Sequence, residues 1–115
     1  KISRTIEILS GDDYSYRPSQ ITVKRGETIR LVVKNTSKID HELVLGSMKD
    51  LKAHAELMRK HPGMEHDEPN QAMVRPGETR AIVWQFTQAG TVDFACTIPG
   101  HLEAGMTGKV KVSAR

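Results

Sequence analysis

The chain has 115 residues, 37% hydrophobic and 27% charged, which leaves room for one domain spanning 1–115 and excludes a two-domain enzyme. Its 17 Lys and Arg against 14 Asp and Glu give a net charge of +3, but the basic residues are scattered, which argues against a nucleic-acid partner, because phosphate binding needs clustered cations. No apolar run approaches the roughly 18 residues of a membrane span, and the single cysteine, Cys96, excludes an internal disulfide framework.

In chain order, Lys1-Ile2-Ser3-Arg4 opens directly into an alternating segment without a charged-then-apolar signal, as expected of a cytosolic protein or of one whose leader has been removed. Apolar residues then recur with period two: Ile6 and Ile8, Ile21 and Val23, Ile29, Leu31 and Val33, Leu43 and Leu45. This is the pattern of half-buried strands. Turn signals separate them at Ser10-Gly11-Asp12-Asp13, Lys24-Arg25-Gly26-Glu27 and Asn35-Thr36-Ser37. Asn35-Thr36-Ser37 also matches a glycosylation sequon, a chance-prone match to which no function is attached.

Residues 48–61 break the period. They are rich in the helix formers Lys, Ala, Leu, Glu and Met and end at His61-Pro62-Gly63, which predicts a helix of about three turns. A loop is expected from Met64 to Val74. Alternation resumes with Ile82, Trp84 and Phe86, then Val92, Phe94 and Cys96, then Val110 and Val112, with turns at Arg75-Pro76-Gly77 and Gln88-Ala89-Gly90. The prediction is an all-β sandwich of seven to eight strands with one helical insertion. Trp84 and Phe86 are read as core.

The chemistry lies in Cys96-Thr97-Ile98-Pro99-Gly100-His101-Leu102-Glu103-Ala104-Gly105-Met106, where a thiol, an imidazole and a thioether follow C-x4-H-x4-M spacing. Cys96 shares parity with Val92 and Phe94, so it points inward at a strand end, and Pro99-Gly100 turns the chain so that His101 and Met106 fold back over it. His41, at the head of the strand His41–Leu45, is the choice for a fourth donor. Two imidazoles, one thiolate and one weak thioether suit a trigonal copper site that accepts both Cu(II) and Cu(I). Structural zinc takes four Cys or His ligands without a thioether. A Cys-His nucleophilic pair lacks a legible oxyanion donor and third member, and leaves Met106 without a role. Taken singly, Cys96 and Met106 also read as core residues, and His41 as a strand-end histidine bonded to a carbonyl.

Val83 to Val112, with Trp84-Gln85-Phe86, Gly90 to Cys96, Pro99-Gly100-His101 and Gly105-Met106-Thr107-Gly108, resembles the C-terminal copper loop of the cupredoxins, the blue-copper proteins. The Cys-to-His half is spaced as in azurin and the His-to-Met half as in plastocyanin. Ile21 to Leu45 also fits the family layout. The resemblance implies a Greek-key sandwich in which His41, Cys96 and His101 are strong equatorial ligands of one type 1 copper and Met106 is the long axial one. It implies further a non-enzymatic carrier of single electrons, exported to the periplasm. A docking surface of Ile98, Pro99 and Leu102 around His101 is expected to meet an acidic redox partner or copper donor or acceptor, with the chain a monomer. Many cupredoxins follow the first histidine with an asparagine that ties the two ligand loops. Glu42 stands there instead, which puts that tie in question, while Thr97 matches the family and is available for a hydrogen bond.

A second group of donors is concentrated in residues 48–73, which hold Met48, His54, Met58, His61, Met64, His66 and Met73: four of the five methionines and three of the five histidines. His54, Met58 and His61 fall at i, i+4 and i+7 on one helical face, with Met64 and His66 following on the loop. They are read as a second, exchangeable copper site, His54, Met58, His61, Met64 and His66, which makes copper handling or tolerance the competing function. The competing structural reading is that Leu51, Ala55 and Met58 form an apolar stripe and that Met fills gaps where a helix packs on a sheet.

Overall fold

The computed structural model describes residues 1–61 and 68–114. Among them nine strands and one helix follow in the order β1 (Arg4–Ser10), β2 (Tyr16–Arg17), β3 (Gln20–Lys24), β4 (Thr28–Asn35), β5 (His41–Gly46), α1 (Met48–Lys60), β6 (Gln71–Val74), β7 (Thr79–Gln85), β8 (Gly90–Ala95) and β9 (Thr107–Ser113). Every predicted strand is found. The sequence count falls short by a two-residue strand, β2, and by β6, which lies at the end of the predicted loop; both are too short to show a period.

The strands form two sheets, β2-β1-β4-β7 and β3-β9-β8-β5-β6. β1 runs parallel to β4 and β3 parallel to β9, while the other pairs are antiparallel. The chain passes repeatedly from one sheet to the other, which closes a sandwich over a shared core. Alternation decides which side chains enter it: Ile29, Leu31 and Val33 of β4, Ile21 and Val23 of β3, and Val110 and Val112 of β9 are buried and face Ile8, Leu43, Leu45, Val74, Ile82, Phe86 and Phe94. Trp84 is partly buried against the same cluster.

β5 departs from simple alternation, since His41 through Leu45 are all buried. Leu43 and Leu45 enter the main core. On the opposite face Val44 joins Leu51 and Ala95 in a second cluster, against which Leu102 packs. The helix is what covers this face. Ser47 caps its N-terminus, its hydroxyl accepting from the Asp50 amide, and Leu51 and Met58 are its buried side chains. Both belong to the apolar stripe expected of the insertion.

Asn35, the first residue of the sequon, is a structural residue. It is 1% exposed, its Nδ2 donates to the carbonyls of Ile39 and Val74 at 2.8 Å each, and its Oδ1 accepts from the amide and hydroxyl of Ser37.

Gly108 is required by close packing. A Cβ built there would run into the Phe94 ring and stand 2.7 Å from the Ser19 carbonyl oxygen, and Phe94 is itself held edge-on against Tyr16. Gly108→Ala should destabilise the fold by about 1–3 kcal/mol or more, read as a lower urea midpoint at unchanged slope.

Candidate metal centre

β5 and β8 are antiparallel, with Val44 opposite Ala95 and Leu45 opposite Phe94. The N-terminal end of β5 therefore lies beside the C-terminal end of β8, and His41-Glu42 meets Cys96-Thr97. Cys96 follows β8 on the face of Phe94 and is wholly buried. Between Cys96 and β9 the chain makes a compact loop: the His101 amide donates to Ile98 O (2.9 Å), the Gly105 amide to Leu102 O (2.9 Å), and the Met106 amide to His101 O (3.2 Å). The Cys96 amide donates to Met106 O at 3.1 Å, which closes the loop on itself. Gly100 and Gly105 take φ of 90° and 93°, a left-handed backbone that favours glycine.

This geometry brings one ligating atom each from His41, Cys96 and His101 to within 4.8 Å of one another, the only such cluster of His, Cys or carboxylate groups among the described residues. Cys96 Sγ lies 3.2 Å from His101 Nδ1 and accepts from the Glu42 amide at 3.3 Å. His41 Nε2 faces the Gly11 carbonyl at 3.0 Å, so that nitrogen carries the proton and Nδ1 is left with its lone pair. Nδ1 is buried without a hydrogen-bond partner. A buried polar atom in this state is costly unless something electropositive meets it.

The protonation preferences agree with that requirement. Burial pushes both histidines below the ordinary imidazole value, with His41 adding to the effect at His101. Both rings therefore offer lone pairs. Burial also pushes the Cys96 thiol up to about 12, so a thiolate at neutral pH needs a cation beside it, and a coordinated metal ion is the kind of charge that deprotonates such a thiol. One thiolate and two neutral imidazoles whose ligating atoms lie within 4.8 Å of one another fit a borderline-soft ion of the copper type.

Met106 is wholly buried in the same core cluster as Cys96, its backbone bonded to both Cys96 and His101. The donors of the insertion lie on α1, with His54 half-buried, Met58 buried and His61 exposed at the C-terminal cap. Met64 and His66 fall outside the described residues.

The expected weakness at Glu42 is corrected. Thr97 Oγ1 donates to Glu42 Oε1, both residues being buried, so the carboxylate ties the two ligand loops. The Glu42 carbonyl in turn accepts from the Tyr16 hydroxyl. Sequence reasoning missed Gly11 and Tyr14. Gly11 orients His41 across 30 positions of chain, and the Tyr14 ring lies edge-on to His101 with centroids 4.9 Å apart. Neither residue carries a local signal, because a backbone carbonyl has no side chain to read and a lone tyrosine in a turn is unremarkable in composition.

Comparison with known proteins agrees with this geometry. The family described as copper binding proteins, plastocyanin/azurin family, matches residues 3–113. The "Copper-resistant cuproprotein CopI" of Rubrivivax gelatinosus is 51% identical over 112 residues, covering 97% of this chain and 68% of that protein. The protein of the same description from Pseudomonas aeruginosa is 37% identical, covering 96% of this chain and 76% of that one. Among solved structures, reduced auracyanin from Roseiflexus castenholzii superposes with a TM-score of 0.81 at 31% identity, over 98% of this chain and 99% of its own.

Removing the carboxylate tie should be felt at the metal. Glu42→Ala and Thr97→Val should each weaken copper affinity by about 10- to 100-fold in a competition titration, while Glu42→Gln, whose amide oxygen still accepts from Thr97, should stay near wild type.

Proposed function

This chain belongs to the plastocyanin/azurin family of copper-binding proteins, and from that premise we propose that His41, Cys96 and His101 hold one type 1 copper ion, with Met106 as the weak axial donor, for one-electron transfer in the periplasm. The observation that carries the reading is the clustering of one ligating atom each from His41, Cys96 and His101 within 4.8 Å, with His41 Nδ1 buried and unpartnered. When bound, copper supplies a one-electron Cu(II)/Cu(I) couple.

The residues of the chain do the rest. Gly11 sets the His41 tautomer, the Glu42 amide donates to the sulfur, and the Glu42–Thr97 tie keeps the two ligand-bearing segments together. Donors held at fixed positions by a packed sandwich move little between oxidation states, which favours rapid electron exchange. His101 is half-buried beside exposed Pro99 and half-buried Ile98 and Leu102. This rim is the docking surface of the reading, and the net charge of +3 favours an acidic redox partner. No helix among the described residues is long and apolar enough to cross a membrane.

A second reading is favoured by the relatives described as copper-resistant: the protein binds or passes on excess copper for tolerance, with the donors of residues 48–73 as the loading site. Copper is then cargo as well as cofactor.

Two measurements test these readings. Adding Cu(II) to the wild type should produce an intense thiolate-to-copper charge-transfer band in the visible spectrum that Cys96→Ser abolishes; a wild type without the band overturns the type 1 assignment. Copper handling by the insertion predicts a second Cu(I) that is lost in a His54→Ala/Met58→Leu/His61→Ala variant, where leucine keeps the volume of buried Met58. Stoichiometry fixed at one ion in both proteins removes that reading.

A further inference from the structure

Tyr14 is the one non-glycine residue among those described with a left-handed backbone, φ 55°. For a bulky side chain this is an outlier that persists only where surrounding structure enforces it. The enforcement is visible. Ser15 Oγ donates to Asp13 Oδ1 at 2.5 Å, Arg17 Nη2 to Asp13 Oδ2 at 2.8 Å, the Gly11 amide to Ser15 O at 3.2 Å, and Asp12 Oδ1 accepts from the Lys38 amide at 3.0 Å. The same loop presents the Gly11 carbonyl to His41.

Core packing does not account for the conformation, since Tyr14 keeps 40% of its surface exposed. Its ring contacts are with the two imidazoles: 4.9 Å between centroids and 74° to His101, 6.4 Å and 90° to His41, which are themselves 5.3 Å apart. His41 is wholly buried, whereas Tyr14 and, in part, His101 reach solvent.

We propose that Tyr14 is the gate of the metal centre, a positioning residue whose ring blocks the outward swing of His101 and so slows exchange of the ion with solvent. This rests on the ligand assignment proposed above. An ion leaves such a site by releasing one ligand first. His41 is tied at Nε2 and buried at the start of a strand, and Cys96 is buried and bonded to the Glu42 amide. His101 sits on a loop and is half-buried, which makes it the ligand free to turn outward, and the Tyr14 ring lies edge-on against it. The contact is through the ring, so the hydroxyl is dispensable.

The test compares wild type with Tyr14→Phe, Tyr14→Gly and Tyr14→Asn. Glycine and asparagine both tolerate the left-handed backbone, so neither variant adds backbone strain. Reduced, copper-loaded protein is mixed with excess bicinchoninate and release of Cu(I) is followed. In parallel, the metal-free proteins are treated with diethyl pyrocarbonate, and modification of His101 is compared with that of exposed His61. The gate predicts about three- to tenfold faster release for Gly and Asn, the scale of one aromatic contact, with faster modification of His101 relative to His61 and Phe at the wild-type rate in both assays.

Wild-type rates in the Gly and Asn variants overturn the gate, as does acceleration by Phe equal to that by Gly. Faster release that merely tracks a lower unfolding midpoint of the metal-free variants also overturns it, since general loosening then explains the effect. A wild type that never shows the charge-transfer band overturns the ligand assignment, and the gate with it.

Discussion

The antiparallel register of β5 on β8 is the constraint on which the centre depends. Val44 pairs with Ala95 and Leu45 with Phe94, and continuing that register places Glu42 opposite Thr97, the two residues whose side chains are joined by a hydrogen bond. A slip of one residue would turn every β5 side chain to the other face, sending Leu43 and Leu45 out of the core. The apolar burial of those leucines thus specifies the register, and the register delivers His41 and the Glu42 amide to the sulfur. Core packing and site geometry are one requirement here.

Burial at the rim of the sandwich then sets the chemistry. His41, Glu42, Cys96 and Thr97 are all at or below 2% exposure, where an unmet polar atom is costly and a well-met one rigidifies its surroundings. The contacts divide the work: Tyr16 and Thr97 meet Glu42, Gly11 meets one nitrogen of His41, and the other nitrogen is buried without a hydrogen-bond partner in a ring clustered with the thiol and His101. The same desolvation that keeps the imidazoles neutral makes a bare thiolate unfavourable. Without a metal the thiol keeps its proton, with His101 Nδ1 at 3.2 Å to accept it, and a cation that displaces that proton would be met by donors from all three residues.

The helical insertion shows how one run of residues serves two purposes. Leu51 and Met58 are its buried side chains, and Leu51 packs with Val44 and Ala95 on the back of β5. The helix therefore braces, from behind, both strands that carry the metal loops. Met58 has both a donor and a core reading in the sequence, and in the fold it is buried. His61, at the exposed C-terminal cap, is differently placed, so the three residues that share helical spacing do not share an environment.

What was legible in the sequence was whatever is encoded locally. Period-two alternation marked the strands, helix formers ending at His61-Pro62-Gly63 marked α1, and C-x4-H-x4-M marked the loop, because a hairpin of that length necessarily brings its own ends together. His41 was within reach of inference because it opens a strand. The loop tie at Glu42, the Gly11 carbonyl and the Tyr14 ring were not. Each is a contact between segments distant in the chain, and no residue type or spacing announces it. The sequence by itself determined the donor set and the strands that bear it. The tertiary structure alone decided which atoms of those donors face one another and which groups hold them, since orientation at a sheet rim depends on the pairing of strands far apart in sequence.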